Sequence, residues 1–191
     1  MLKVKTNFKR NNTMRKSLSV EELERLRNAC ADRRERTLLE LFYSTGCRIS
    51  EIAGIQLSQI DFVSRSVKVL GKGKKERLVF FSIKAKLLLE EYISSRKGTS
   101  DALFLNIKAP YSSMHPRSMQ KTIHNIGERA CLTENIHPHL LRHTFATLAL
   151  NNGMDITVIQ RIHGHSQLST TEIYAHISTE NIRQSYDRVI I

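Results

Sequence analysis

The sequence predicts a mainly α domain with one small antiparallel β-sheet, an α+β fold. Three observations predict it. Apolar residues recur at helical spacing through most of the chain, the period switches to alternation only around residues 66–81, and turn residues divide that stretch. The 191 residues suffice for one domain that buries its own core. With 40% apolar and 25% charged residues, eight Gly and three Pro, the chain is neither collagenous, low-complexity nor wholly disordered.

Residues 1–17 read as a basic arm or linker remnant, and residues 18–191 as the folded domain. Ser19-Val20-Glu21-Glu22 is a capping box: the Ser oxygen accepts the N3 amide while Glu22 reaches back to the cap. Val20, Leu23, Leu26 and Cys30 then share one helical face. A second helix starts near Asp32, turns Leu38, Leu39, Leu41 and Phe42 inward, and stops near Gly46. A short helix from about Arg48 to Ala53 follows. Ser66–Leu70 and Glu76–Phe81 alternate as strands around Gly71-Lys72-Gly73, which makes a hairpin with a basic tip. Residues 83–96 read as a helix that buries Ile83, Leu87, Leu88 and Tyr92 or Ile93, and Asp101–Asn106 as a short third strand.

The rest reads as helix. Residues 117–130 place Met119, Ile123, Ile126 and Ala130 on one face, and residues 139–152 form a helix closed by Gly153. Asp155 caps a helix that runs to about His163 and ends at Gly164. Ser169-Thr170-Thr171-Glu172 is a second capping box, opening a short helix that carries Tyr174, and a last helix occupies 179–189.

Thirty Lys and Arg stand against 18 Asp and Glu, a net charge of +12 that calls for a polyanionic partner. The first 17 residues hold six of these cations and no acid, and Arg65 to Arg77 hold six cations and one acid. The basic start has neither the apolar face of a membrane-surface helix nor the apolar core of a secretory signal. No apolar run approaches the roughly 18 residues of a membrane span. A soluble, cytoplasmic protein with no membrane partner is expected. Cys30, Cys47 and Cys131 lie far apart without CxxC spacing, so neither a disulfide framework nor a zinc ribbon is expected.

Candidate chemistry narrows by elimination. His139 and His143 stand one turn apart, a spacing that suits zinc, but Leu140 fills the place where a metalloprotease needs Glu. A third ligand would have to come from His163 or His165, and no acid sits beside either, so no metal is expected. Glu51 and Asp61 lack a second acid at fixed helical spacing, which leaves a glycosidase pair or two-metal nuclease unsupported. No Gly-x4-Gly-Lys-Ser/Thr frame surrounds Lys72. There remain Arg48, Lys72, His139, Arg142, His165 and Tyr174. Arginines grip phosphate oxygens in forked geometry, Lys and His move protons, and a Tyr can attack once its proton is shared. Together they would suffice for phosphoryl transfer without a metal.

Thr45-Gly46-Cys47-Arg48-Ile49-Ser50-Glu51-Ile52, Gly71-Lys72-Gly73-Lys74-Lys75-Glu76-Arg77, His139-Leu140-Leu141-Arg142-His143-Thr144-Phe145-Ala146-Thr147, Gly164-His165-Ser166 and Thr170-Thr171-Glu172-Ile173-Tyr174 occur in that order. These blocks resemble the tyrosine recombinase (phage integrase) family over about residues 19–186, with the Xer-type and related bacterial integrases as the nearest likeness. The resemblance implies that family's catalytic-domain fold. It also implies site-specific DNA cleavage and rejoining through a 3′-phosphotyrosyl intermediate, without metal, cofactor or ATP. Arg48 and Arg142 would hold the scissile phosphate, Tyr174 would attack it, and Lys72 would protonate the leaving 5′-oxygen. His139 would accept the tyrosine proton, and His165 would hydrogen-bond the phosphate. Glu51 would either help fix the site or serve only as a helix-start acid. Lys74, Lys75 and Arg77 would contact the DNA backbone.

The implied partner is double-stranded DNA with inverted half-sites, bound by a homotetramer. The last helix would dock on a neighbouring protomer through Ile182, Tyr186 and Val189, with packing of that stripe on its own core as the lesser alternative. Two features depart from the family's pattern. His163 stands where an apolar residue is usual, and the N-terminal helical clamp domain that the family generally carries is expected to be absent from this chain, either because the chain is a piece of a longer protein or because it resembles the short members of the family. The rival expectations are a non-catalytic DNA-binding regulator of the same fold and a type IB topoisomerase-like relaxing enzyme.

Overall fold

The first helix, α1 (Val20–Asn28), starts at the expected capping box. Glu22 N–H donates to Ser19 Oγ at 3.1 Å, and Ser19 N–H donates to the Glu22 carboxylate at 2.8 Å. The structure is a computed structural model that describes residues 17–71, 73, 75–164 and 179–190. The second capping box and the short helix expected around Tyr174 lie outside the described residues. The inner face of α1 is Leu23, Leu26 and Arg27, whereas Val20, expected inward, is exposed. Arg27 can turn inward because the buried Glu40 carboxylate accepts both prongs of its guanidinium at 2.8 Å.

Glu40 belongs to α2 (Arg33–Thr45), which is capped by Asp32 and ends at Gly46 with φ 58°. The short α3 (Ile49–Ala53) follows with Arg48 at its cap. A three-stranded antiparallel sheet comes next: β1 (Ile60–Asp61), β2 (Ser66–Leu70) and β3 (Glu76–Phe80), in the order β1-β2-β3. Val67 pairs with Val79 and Val69 with Arg77, so alternation sends Val67, Val69 and Val79 into the core. The third strand is therefore 60–61 rather than 101–106. Ala102 to Leu105 are buried in an unbroken run, and that stretch makes only the isolated bridges Gln56↔Ala102 and Leu105↔Ser113.

Helix α4 (Ile83–Ser95) turns a different face inward from the one expected. It buries Ala85, Leu89 and Tyr92 and leaves Ile83 and Leu87 more than half exposed. The Thr37 hydroxyl of α2 donates to Arg33 O of its own helix at 2.8 Å and also lies 3.1 Å from Leu88 O of α4, so the two helices approach closely. A small residue such as Ala85 permits that approach.

Three further helices, α5 (Pro116–Arg129), α6 (Pro138–Asn151) and α7 (Ile156–His163), are capped by His115, His137 and Asp155. The last is α8 (Thr179–Val189). Leu38, Phe42, Ile52, Val67, Val79, Leu89, Ile123 and Leu141 belong to one core. Phe80, Phe145, Ala149, Ile162, Tyr186 and Ile190 belong to a second. Helix α6 stands between them, giving Leu141 to the first and Phe145 and Ala149 to the second. Just before α1, Leu18 N–H donates to Thr144 Oγ1 of α6 at 3.0 Å.

Within the described chain the last helix packs on its own domain. Tyr186 is fully buried, donates its hydroxyl to Ser44 O at 2.7 Å, and lies against the Phe80 and Phe145 rings. Arg65 of the β1–β2 loop pairs with Asp187 at 2.5 Å. Among the described residues, no helix is long and apolar enough to cross a membrane.

The faces of α4 give a direct check by urea denaturation. Leu87→Lys should change stability by no more than about 0.5 kcal/mol. Leu89→Ala should cost about 2–5 kcal/mol.

Candidate active site

The site is built where α2, α3, α6, α7 and β3 meet. Gly46 makes the meeting possible. With φ 58° it ends α2, and a methyl group on it would meet Phe145 of α6 at 2.8 Å and His163 of α7 at 2.9 Å. Only glycine serves both the left-handed backbone and that contact. Two residues on, Arg48 caps α3, and its own amide donates to Glu51 Oε2 at 2.7 Å, the reaching-back half of a capping box.

Glu51 is buried at 3% exposure and is the acceptor at the centre of the site. Arg77 of β3 donates to it with both prongs, at 2.5 and 2.9 Å, and Arg48 Nη1 donates at 3.1 Å. Burial pushes the Glu51 carboxyl up, but the hydrogen bonds and charges of Arg77 and Arg48 outweigh it and hold the group below its ordinary value.

The second acceptor is the end of α7. The last carbonyls of a helix lack intrahelical partners and carry the negative end of its dipole. Ile162 O accepts Arg77 Nε at 3.0 Å. His163 O accepts Arg142 Nη2 at 2.8 Å and Arg48 Nη1 at 3.4 Å. Arg142, buried on α6 at the seam of the two cores, also donates to Gly46 O. Burial first, and then the charge of Arg48, bring the Arg142 pKa down to about 10, so it remains a cation at neutral pH. Three guanidinium groups from three elements thus converge on one carboxylate and two consecutive carbonyls.

Of the residues singled out in the sequence, Arg48, Glu51 and Arg142 come together here. His139 lies exposed in the first turn of α6, three residues before Arg142 and on the same side of the helix. Lys75 is exposed. Lys72, Lys74, His165 and Tyr174 lie outside the described residues. Arg77, expected with Lys74 and Lys75 among the DNA contacts, instead points inward and donates all three of its nitrogens within the protein. Its parity with Val79 on an alternating strand was the available signal. His137 was also unremarked: its Nδ1 accepts the Leu140 amide at 3.2 Å, capping α6. Burial, and then the neighbouring His139, lower its pKa. Cys47, beside Arg77, is pushed up to about 11 by burial and stays a thiol at neutral pH.

The profile of the phage integrase family matches residues 16–181. The chain belongs to that family. The tyrosine recombinase XerC of Oceanobacillus iheyensis is 40% identical over 159 residues, covering 80% of this chain and 52% of the relative. XerC of Listeria innocua is 41% identical over 160 residues, covering 80% and 53%. The chain therefore spans about half the length of the curated relatives it matches. Among solved structures, XerA recombinase superposes with a TM-score of 0.75 at 31% identity, covering 95% of this chain and 65% of that one. The mostly helical fold with its small antiparallel sheet is the fold of that recombinase.

The site makes acid stability a readout. The folded pKa of Glu51 lies below its ordinary value of 4.5. Its contribution is therefore full above that value and is lost as pH falls through the folded pKa. By calorimetry, Glu51→Gln should cost about 3 kcal/mol at pH 7. The gap to wild type should narrow as the pH drops below the ordinary Glu value.

Proposed function

We propose that this chain carries the strand-cleaving and rejoining chemistry of a site-specific DNA recombinase, acting on duplex DNA in the cytoplasm. The observation that supports this most is the convergence of Arg48 and Arg142 on a single oxygen, His163 O. Two cations held that close, with the Arg48 side chain still 34% exposed, suit the non-bridging oxygens of a phosphate. A crystal structure of the XerH recombinase bound to its difH substrate, 26% identical with a TM-score of 0.68, supports DNA as the partner.

In this reading Tyr174 Oη attacks the scissile phosphorus, forming the P–Oη bond as the P–O5′ bond breaks. His139 accepts the tyrosine proton. Lys72 gives a proton to the departing 5′-oxygen, which leaves as a hydroxyl. Arg48 and Arg142 neutralise charge that builds on the two non-bridging oxygens, and His165 donates a further hydrogen bond to them. The 3′-phosphotyrosyl bond keeps the energy of the phosphodiester, so attack by a 5′-hydroxyl reverses the step without nucleotide hydrolysis. Glu51 holds Arg48 in place. Lys74 and Lys75 contact the DNA backbone. The working assembly is a tetramer on inverted half-sites, in which α8 leaves its own second core for that of a neighbour.

Covalent trapping tests the reading. The probe is a nicked suicide duplex carrying an inverted-repeat site that the protein itself selects from a random pool. The expected result is a denaturation-resistant adduct that Tyr174→Phe abolishes. Binding without any adduct would mark a DNA-binding protein in a recombinase fold, and relaxation of plasmid without recombinants would mark a topoisomerase-like enzyme. Binding should also weaken steeply with salt, with a log–log slope of about 0.9 for each phosphate neutralised.

A further inference from the structure

We propose that Arg77 is a positioning residue for cleavage, fixing the hairpin that carries Lys72 to the helix end that leads into His165. The inference rests on the recombinase reading above and assigns to Arg77 a task other than DNA contact. Arg77 lies on β3, one residue past the Lys72-to-Glu76 stretch, and faces inward opposite Val69. Its side chain is 13% exposed, against 34% for Arg48. The guanidinium is used in full: Nη1 and Nη2 on Glu51, Nε on Ile162 O at 3.0 Å, and Nη2 also 3.8 Å from Cys47 Sγ.

Two glycines complete the argument. A methyl group on Gly164 would meet Arg77 Cδ at 3.0 Å, and one on Gly71 would meet Arg77 Nη1 at 3.6 Å and Glu51 Oε1 at 3.7 Å. Gly71 is the residue before Lys72, and Gly164, with φ 60°, is the residue before His165. One planar side chain is therefore packed against the last backbone step before each of two candidate catalytic residues. It ties the backbone at both glycines to the carboxylate that holds Arg48. Lysine has the charge but not the fork, and cannot make the three directed bonds at once. Misplacement of reacting groups by about 1 Å costs on the order of 10²-fold in rate.

The experiment compares wild type, Arg77→Lys and Arg77→Met in single-turnover cleavage of the nicked suicide duplex at saturating DNA, with binding measured across a salt series. Positioning predicts that the cleavage rate constant falls about 10²-fold in both variants. The reacting fraction, the affinity and the salt slope should match wild type. Arg77→Lys carries the comparison alone should Arg77→Met not fold. A DNA-contact role predicts a slope smaller by about 0.9 in Arg77→Met with an unchanged rate constant, and that result overturns the proposal. So does a smaller reacting fraction with an unchanged rate constant, the mark of a merely structural residue. If wild type itself forms no adduct, the recombinase reading fails instead.

Discussion

A buried carboxylate, Glu51, is the constraint on which the site depends. Arg48, Arg77 and Arg142 come from the cap of α3, from β3 and from α6, and as cations they repel one another; the lowered pKa of Arg142 reflects burial together with the charge of Arg48. Gathering them needs negative charge among them. Glu51 supplies a full charge, and the C-terminal carbonyls of α7 supply the negative end of a helix dipole. The balance still leaves the cluster net positive, which is the condition for receiving a phosphate dianion-like charge in a transition state.

The surrounding architecture keeps that cluster rigid. Helix α6 is held between two cores, so Arg142 cannot slide without disturbing Leu141 on one side and Phe145 on the other. Gly46 lets α2, α6 and α7 close to contact distance, and Thr144 receives the incoming chain at Leu18 on the same helix. The second core is completed by Tyr186 of α8 and by Ile190 just after it. Thus the helix proposed to move between protomers is the same one that seals the hydrophobic floor beneath Phe145 and Ile162. Exchange would preserve each core by replacing one copy of α8 with another.

Much of this was legible in the residues. Caps and stops carried the helices: Ser19 with Glu22, Asp32 with Gly46, and Asp155 with Gly164 mark ends that the structure keeps. Arg48, Glu51 and Arg142 could be singled out because they fall in blocks of fixed order. What escaped was set by tertiary contact. A two-residue strand at Ile60–Asp61 has no periodicity to detect, and packing against α2 buries the Ala85, Leu89 and Tyr92 face of α4 rather than the stripe of Ile83 and Leu87. Arg77 differs in kind from these. Its charge suggested solvent and DNA, while its place two residues from Val79 already assigned it to the inner face.

The central claim is that Arg48 and Arg142 act on the charge of a phosphate's non-bridging oxygens. The most direct measurement is the cleavage rate of wild type and Arg142→Ala on two suicide duplexes, one with an ordinary scissile phosphodiester and one with a neutral methylphosphonate there. Arg142→Ala should lose on the order of 10²-fold or more on the phosphodiester. Far less loss is expected on the methylphosphonate, whose transition state carries one negative charge fewer. An equal loss on both substrates would contradict the central claim, and would place Arg142 in the architecture of the site rather than in its chemistry.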